Sequence, residues 1–334
     1  MTTATDVFDR PLGDLRISVT DRCNFRCTYC MPKEVFGPGY EFLPRDQLLT
    51  FEEIDSVVRH FVARGVTKVR ITGGEPLLRK GVEDLIGIIA AVDGVEDLTL
   101  TTNASLLARK AENLVANGLN RVTVSLDAMD DPTFQKMNDV GFPVSTVLEA
   151  IDVAAQAGLA PIKVNAVIKR GVNEHAVVDM ARHFKGTGHI VRFIEFMDVG
   201  NTNGWRMDDV VPAVEMVEAI HSAFPVEPVP SNYPGEVANR FRYLDGSGEV
   251  GVIASVTKPF CGSCTRARIS AEGTFYTCLF ASGGTSLRDV IRSGGDLGGV
   301  IDEVWAKRDD RYSEIRSSNT ARMSVPVEMS YIGG

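Results

Sequence analysis

The sequence predicts an α/β protein. A partial (β/α)6 TIM-like barrel is expected over residues 1–224, and a small α+β region over residues 225–334. Three observations carry this. Six β-like segments alternate with helical patterns, which calls for a parallel sheet with crossover helices. The β-like segments alternate apolar and polar residues, whereas ordinary buried parallel strands read as continuous apolar runs. Beyond residue 225 the texture shifts to short β-like runs separated by Gly-containing turns.

The six β-like segments are 15–20, 68–72, 98–102, 121–126, 161–168 and 190–197. Helical patterns occupy 50–64, 81–92, 105–117, 145–156 and 173–184. The first opens on Thr50 with Glu53 three residues on, a capping box. Gly65, Gly94, Gly118 and Gly158 stand where C-terminal caps are expected. Residues 198–206 read as a loop and 210–224 as a further helix. Residues 225–235 hold four prolines and read as a linker. The runs 240–245, 248–255, 266–271 and 274–279 predict a small antiparallel sheet, followed by helices at 285–292 and 297–307.

The alternation has a chemical meaning. Leu15, Ile17 and Val19 interleave with Arg16, Ser18 and Thr20; Val69 and Ile71 interleave with Lys68, Arg70 and Thr72. The segments at 98, 121 and 161 repeat this with Thr101, Ser125 and Lys163 on the polar side. A period of two places each polar set on one face. If the apolar face meets the helices, the polar face lines the barrel interior, where Val, Ile and Leu would ordinarily pack. Arg16, Lys68, Arg70 and Lys163 then point inward, together with Arg192. Cations converging inside a chain of net charge −9 need an anion, and a polyphosphate suits them. The competing reading is a set of half-exposed strands on a solvated face.

Hydrophobic content of 44% and charged content of 24% fit an ordinary globular protein. The negative charge argues against a general nucleic-acid binder. No apolar run reaches the length of a membrane span, and residues 1–6 show no signal-peptide pattern. A cytoplasmic protein is expected.

The six cysteines split into two triples: Cys23, Cys27, Cys30 and Cys261, Cys264, Cys278. In a long chain with no signal peptide, metal is a better reading than disulfides. Three close thiolates suit zinc or an iron–sulfur cluster. Structural zinc wants a fourth ligand, and neither triple has a nearby Cys or His to supply one. A cubane on three cysteines leaves one iron open to a small molecule. The five histidines are scattered and are not expected to be catalytic.

Cys23-Asn24-Phe25-Arg26-Cys27-Thr28-Tyr29-Cys30, directly after the first strand, resembles the signature of the radical S-adenosylmethionine (SAM) superfamily. Thr72-Gly73-Gly74-Glu75-Pro76 is similar to that superfamily's Gly-Gly-Glu-Pro turn. The resemblance implies a 4Fe–4S cluster on Cys23, Cys27 and Cys30, with SAM touching Tyr29, Gly74, Ser125 and Met197. The second triple and Arg266-Ala267-Arg268 narrow it to the GTP 3′,8-cyclase family of molybdenum cofactor biosynthesis. That resemblance implies a second 4Fe–4S cluster on Cys261, Cys264 and Cys278. It places GTP against Arg16, Arg70, Thr101, Lys163, Arg192, Arg266, Ala267 and Arg268, and gives Arg266, Arg268 and the terminal Gly333 and Gly334 catalytic roles. The implied reaction has a 5′-deoxyadenosyl radical taking the C3′ hydrogen of GTP, and C3′ then bonding to C8 to give 3′,8-cyclo-7,8-dihydro-GTP. A reduced ferredoxin or flavodoxin is the implied electron donor, and a homodimer is compatible with the family. Rival readings are a radical SAM peptide modifier with an extra cluster, an iron–sulfur electron carrier, and a zinc-stabilised structural protein.

Overall fold

A computed structural model describes residues 3–316 and 325–333. Six strands form its centre: β1 (Asp14–Ser18), β2 (Lys68–Thr72), β3 (Asp97–Thr102), β4 (Arg121–Ser125), β5 (Lys163–Ile168) and β6 (Ile190–Glu195). They pair in chain order and all run parallel. The crossovers are α1 (Phe51–Val62), α2 (Val82–Ala90), α3 (Leu107–Ala116), α4 (Asp131–Asn138), α5 (Val144–Ala154) and α6 (Ala176–Phe184). Five of these helices and all six strands lie within three residues of the bounds expected from sequence. At α1 the capping box forms: Thr50 Oγ1 accepts from Glu53 N at 3.2 Å, and the Glu53 carboxylate accepts from Thr50 N at 2.8 Å.

α4 was not expected. It is short and polar, yet Asp130 caps it by accepting from Thr133 N at 2.8 Å, and Pro132 sits in its first turn, where a missing N–H costs nothing.

The apolar strand positions do face the helices. Leu15, Ile17, Val69, Ile71, Leu100, Val124 and Val164 are fully buried in one continuous core with Val57, Phe61, Leu85 and Leu114. The polar set is left on the inner face.

The region after residue 224 departs from expectation in two ways. α7 (Ala213–Ala223) leads into β7 (Val226–Val229), β8 (Asn239–Tyr243), β9 (Glu249–Ile253), β10 (Arg266–Ile269), β11 (Thr274–Tyr276) and β12 (Thr285–Ser286). These do not make a separate antiparallel sheet. β9 pairs parallel with β6 and β10 pairs parallel with β1, so one 12-stranded sheet runs β12-β11-β10-β1-β2-β3-β4-β5-β6-β9-β8-β7. Antiparallel pairing is confined to the two outer wings. The second departure is that the expected linker at 225–235 contains β7. Its Pro228 is tolerated because β7 is an edge strand with no ladder on one side.

Glu195, at the end of β6, ties this region to the barrel. Fully buried, its carboxylate accepts from Ala213 N and Val256 N at 2.7 Å each and from Thr257 N at 2.9 Å. The chain closes with α8 (Leu287–Arg292), α9 (Leu297–Ala306), α10 (Tyr312–Ile315) and α11 (Met329–Ile332).

Candidate functional site

A cavity of about 320 Å³ lies on the inner face of the sheet, and all six strands of the barrel contribute to its wall. Both cysteine triples line it, apart from one another in sequence but on one enclosed space. No cysteine is in a disulfide.

The first triple sits on the loop after β1, and that loop is held from several directions. Arg26 donates to Phe36 O at 2.7 Å and to Cys23 O at 2.8 Å. Thr28 N and Arg26 N donate to Met137 O and Asn138 O at the end of α4, each at 3.0 Å. Tyr29 Oη donates to Asp127 Oδ2 at 3.0 Å, and Asp127 Oδ1 accepts from Val167 N at 2.9 Å. Burial pushes Asp127 up to about 6. Asn103 Nδ2 reaches Asn24 Oδ1 at 2.9 Å and approaches Cys23 Sγ at 3.8 Å. Burial, and then nearby acidic groups, raise all three thiols; Cys23 is pushed up to about 12, with Glu75 the second cause.

The Gly-Gly turn has a docking role besides its place on the cavity wall. Gly73 and Gly74 do line the cavity, but a Cβ on Gly73 would meet Thr20 O at 2.5 Å, and one on Gly74 would strike the backbone of Arg22. Gly73 also has φ of +148°. The glycines therefore dock one backbone on another, setting the height of the cysteine loop. Gly74 N donates to Thr20 O at 2.8 Å and Glu75 N to Arg22 O at 2.9 Å. The Glu75 carboxylate is taken up by Leu77 N, Thr102 Oγ1 and Asn103 N at 2.7–3.0 Å, and burial pushes it up to about 7.

Between the triples stand the cations. Arg16 is in register with Arg70 on one side and with Arg268 on the other, so three arginines align across β10, β1 and β2. Like charges side by side in a sheet repel. Arg70 is 8% exposed and Arg268 3%. Among the described residues Arg16 Nε is buried without a hydrogen-bond partner, and Arg16 is held well below the usual guanidinium range by burial and then by Arg268. Arg70 donates to Thr101 and Thr123, which are neutral. Burial, then Arg192, brings Lys163 down to about 7; burial, then Arg70, brings Arg192 down to about 9. Burial, then Arg266, brings Arg268 down to about 10, and its Nη1 donates to Gly333 O. Gly333, with φ of +74°, is buried against Thr72.

At the second triple, burial would raise the Cys264 thiol, but Arg266 and Arg308 outweigh it and bring it down to about 7. Burial, with Asp310 second, pushes Cys278 up to about 12. Three thiols without a disulfide, on the wall of a cavity and close to guanidiniums, are a donor set for an iron–sulfur cluster. Among the described residues no group of His, Cys, Asp or Glu is arranged to hold a single metal ion. A cubane spreads its ligands wider than one ion does.

Two family models cover the chain: the Radical SAM superfamily over residues 17–184 and Molybdenum Cofactor Synthesis C over residues 189–314. A GTP 3′,8-cyclase of Acidothermus cellulolyticus is 52% identical, with 98% of each chain covered. The chain belongs to the GTP 3′,8-cyclase family. A second GTP 3′,8-cyclase, of Xanthomonas campestris pv. campestris, is 50% identical over 98% of this chain and 97% of its own. Radical SAM membership brings a 4Fe–4S cluster and SAM. The fold is shared more widely. Streptococcus suis SuiB, in a crystal structure bound to S-adenosylmethionine, matches with a TM-score of 0.62 at 14% identity, over 88% of this chain and 69% of its own. Native anSMEcpe with bound AdoMet matches at 0.54 and 16% identity, over 95% and 93%.

Within this cyclase-family site, the structure brings together Arg16, Arg70, Thr101, Lys163, Arg192, Arg266, Arg268, Tyr29, Gly74, Ser125, Met197 and the six cysteines. Ala267 turns the other way, fully buried in the core, and offers only its backbone. Gly334 lies outside the described residues. Sequence reasoning missed Tyr233, whose hydroxyl accepts from Lys68 Nζ at 2.9 Å; an aromatic residue inside a proline-rich stretch was the available signal. Asn165, on the polar face of the fifth strand with Lys163, accepts from Arg192 Nε at 2.9 Å, a pairing the sequence alone did not show.

Proposed function

We propose that this chain converts GTP to 3′,8-cyclo-7,8-dihydro-GTP, the first step of molybdenum cofactor biosynthesis. One observation carries the reading: a row of buried arginines and a depressed lysine converge between two cysteine triples with no carboxylate among their hydrogen-bond partners in the described residues. A triphosphate supplies the missing negative charge.

In this reading Cys23, Cys27 and Cys30 hold one 4Fe–4S cluster, and Tyr29, Gly74, Ser125 and Met197 surround SAM. Cys261, Cys264 and Cys278 hold a second cluster within the region 225–334. The first cluster and SAM, when bound, supply one-electron chemistry that yields a carbon radical able to take hydrogen from C3′ of GTP. The protein's own share is position and exclusion of water. Arg16, Arg70, Lys163 and Arg192 grip the triphosphate, Thr101 keeps Arg70 oriented, and Arg266, Arg268 and the backbone of Ala267 face the nucleotide near the second triple. Gly333 completes that wall through Arg268, and the catalytic role expected of Gly333 and Gly334 belongs to the same reading. A reduced ferredoxin or flavodoxin as donor, a cytoplasmic setting and a homodimer belong to the same reading; six thiols free of disulfides support a reducing compartment. Among the described residues no helix is long and apolar enough to cross a membrane.

The test is anaerobic reconstitution with dithionite, SAM and GTP, following 5′-deoxyadenosine and nucleotide product by mass spectrometry. The expected result is both products from the parent chain. Arg266→Ala with Arg268→Ala should still release 5′-deoxyadenosine but give no cyclised nucleotide. Release of 5′-deoxyadenosine with GTP untouched in the parent overturns the substrate.

A further inference from the structure

The N-terminal segment before β1 carries a buried ionic cluster that the reaction does not call for. Asp6 Oδ2 accepts from Arg10 Nε at 2.6 Å and from Arg308 Nη1 at 2.9 Å. All three side chains are almost completely buried, at 0%, 2% and 1% exposure. Asp6 Oδ1 is used as well, accepting from Phe8 N at 2.9 Å and Arg10 N at 3.0 Å, which folds residues 6–10 into a tight turn. Arg308 lies over the Trp305 ring at 4.6 Å, and Trp305 Nε1 donates to Arg10 O at 3.4 Å.

The outward-facing donors all go to one place. Arg10 Nη1 donates to Cys261 O at 2.9 Å and to Asp310 O at 2.8 Å. Arg308 Nη1 donates to Cys264 O at 2.8 Å, and Arg308 Nε donates to Thr277 O at 3.1 Å, one residue before Cys278. Each of the three backbone stretches that carry a cysteine of the second triple is thus held by a guanidinium, and both guanidiniums are oriented by the same carboxylate. A buried ion cluster costs desolvation and is poor evidence of a stability role by itself. Here two cations share one buried carboxylate, and Arg10 Nη2 is buried with no acceptor among the described residues. Asp310 Oδ2, partly exposed, is 3.7 Å from Arg308. Three thiolates on a 4Fe–4S core form an anion, and these two guanidiniums would stand directly behind it.

We infer that Asp6, Arg10 and Arg308 are positioning residues for the second cluster: they fix the spacing of its three cysteines through the backbone and set positive charge behind it. This rests on the reading that Cys261, Cys264 and Cys278 hold a cluster. Partners of metal ligands that are changed in this way typically cost about 10–100-fold in metal retention.

The test uses the full chain with Cys23→Ala, Cys27→Ala and Cys30→Ala, so that only the second triple can load. Iron and sulfide per chain, the rate of iron loss to a chelator and the midpoint potential are measured after anaerobic reconstitution. Arg10→Gln and Arg308→Gln are expected to lose iron about tenfold faster or more and to lower the potential, because removing positive charge disfavours the added electron. Arg308→Lys keeps the charge but not the fork; it should hold the parent potential while losing iron faster. A purely structural role would not separate those two readouts. The converse background, with the second triple changed to alanine, should keep its iron unaltered by Arg308→Gln. A parent that loads no iron overturns the second-cluster reading and this inference with it. A parent that loads, with Arg10 and Arg308 variants that match it in iron retention and potential, overturns this inference alone. If the glutamine variants do not fold, Arg308→Lys decides by iron retention, and equality with the parent refutes the role.

Discussion

Binding of the triphosphate should take up a proton, and Lys163 should be the group that gains it. Lys163 stands on the inner face of β5, with Arg192, Arg121 and Lys68 around it, and burial is the largest cause of its fall from 10.5 to about 7. At 1.36 kcal/mol per pH unit that fall corresponds to roughly 5 kcal/mol against the charged form. An anion placed beside the amine reverses the penalty. The bound state then holds a proton that the free state lacks, so affinity must fall as pH rises above 7. At pH 8 the free lysine is about one-tenth charged and uptake should approach about 0.9 proton per GTP. The nucleotide's own terminal phosphate, with a second pKa of about 6, is already ionised there and adds little. Calorimetric titration of GTP in buffers of differing ionisation enthalpy measures the uptake directly. Between pH 7.5 and 9.5 the affinity should drop about tenfold per unit, or about 1.4 kcal/mol. Lys163→Arg, which stays charged throughout, should flatten the pH dependence and abolish the uptake. Equal proton uptake by wild type and Lys163→Arg, or a flat affinity in the wild type, would refute the reasoning.

Three further outcomes follow from the geometry. Glu195→Ala should destabilise the apoprotein by about 3 kcal/mol or more, because three backbone N–H groups lose a buried acceptor; denaturant unfolding measures it. Gly73→Ala should lower iron retention at Cys23, Cys27 and Cys30 while leaving the other triple loaded, since a Cβ at 2.5 Å from Thr20 O must displace the turn beneath the first cysteine loop; equal loading of both triples in that variant would show the turn to be tolerant. Tyr29→Phe removes one 3.0 Å hydrogen bond to Asp127 and should cost about 1 kcal/mol of stability, with SAM cleavage slowed rather than lost. A loss of all 5′-deoxyadenosine formation would mean that the hydroxyl does more than brace the loop.

Much of the barrel was legible because its strands break a habit. Arg16, Lys68, Arg70, Thr101, Ser125 and Lys163 sit at alternating positions, and period alone placed them on one face. The cysteine triples were legible through spacing. What failed was non-local. Nothing in residues 249–253 or 266–269 says that their partners are β6 and β1, since parallel pairing is set by strands far away in sequence. The four prolines hid β7, because propensity cannot tell an edge strand from a linker. α4 was missed because its eight residues show little apolar stripe; Asp130 and Pro132 were its only signals. Asp6, Arg10 and Arg308 were invisible as a group, being brought together across about 300 residues of chain.

The pairing of β9 with β6 and of β10 with β1 bears on how the chain is made. The ribosome delivers β1 through β6 first, and at that stage the six-stranded sheet has two bare flanks. Each presents a row of open N–H and C=O groups that invites pairing with another nascent chain. One flank is covered only after residues 249–253 emerge, the other only after 266–269. The 12 residues that join those two strands, 254–265, contain Cys261 and Cys264. Protection of the sheet and assembly of the second cysteine triple are therefore late and nearly simultaneous events in synthesis. A chain stopped shortly after residue 224 would carry a nearly complete barrel and two adhesive borders, and its fate should be aggregation rather than partial activity.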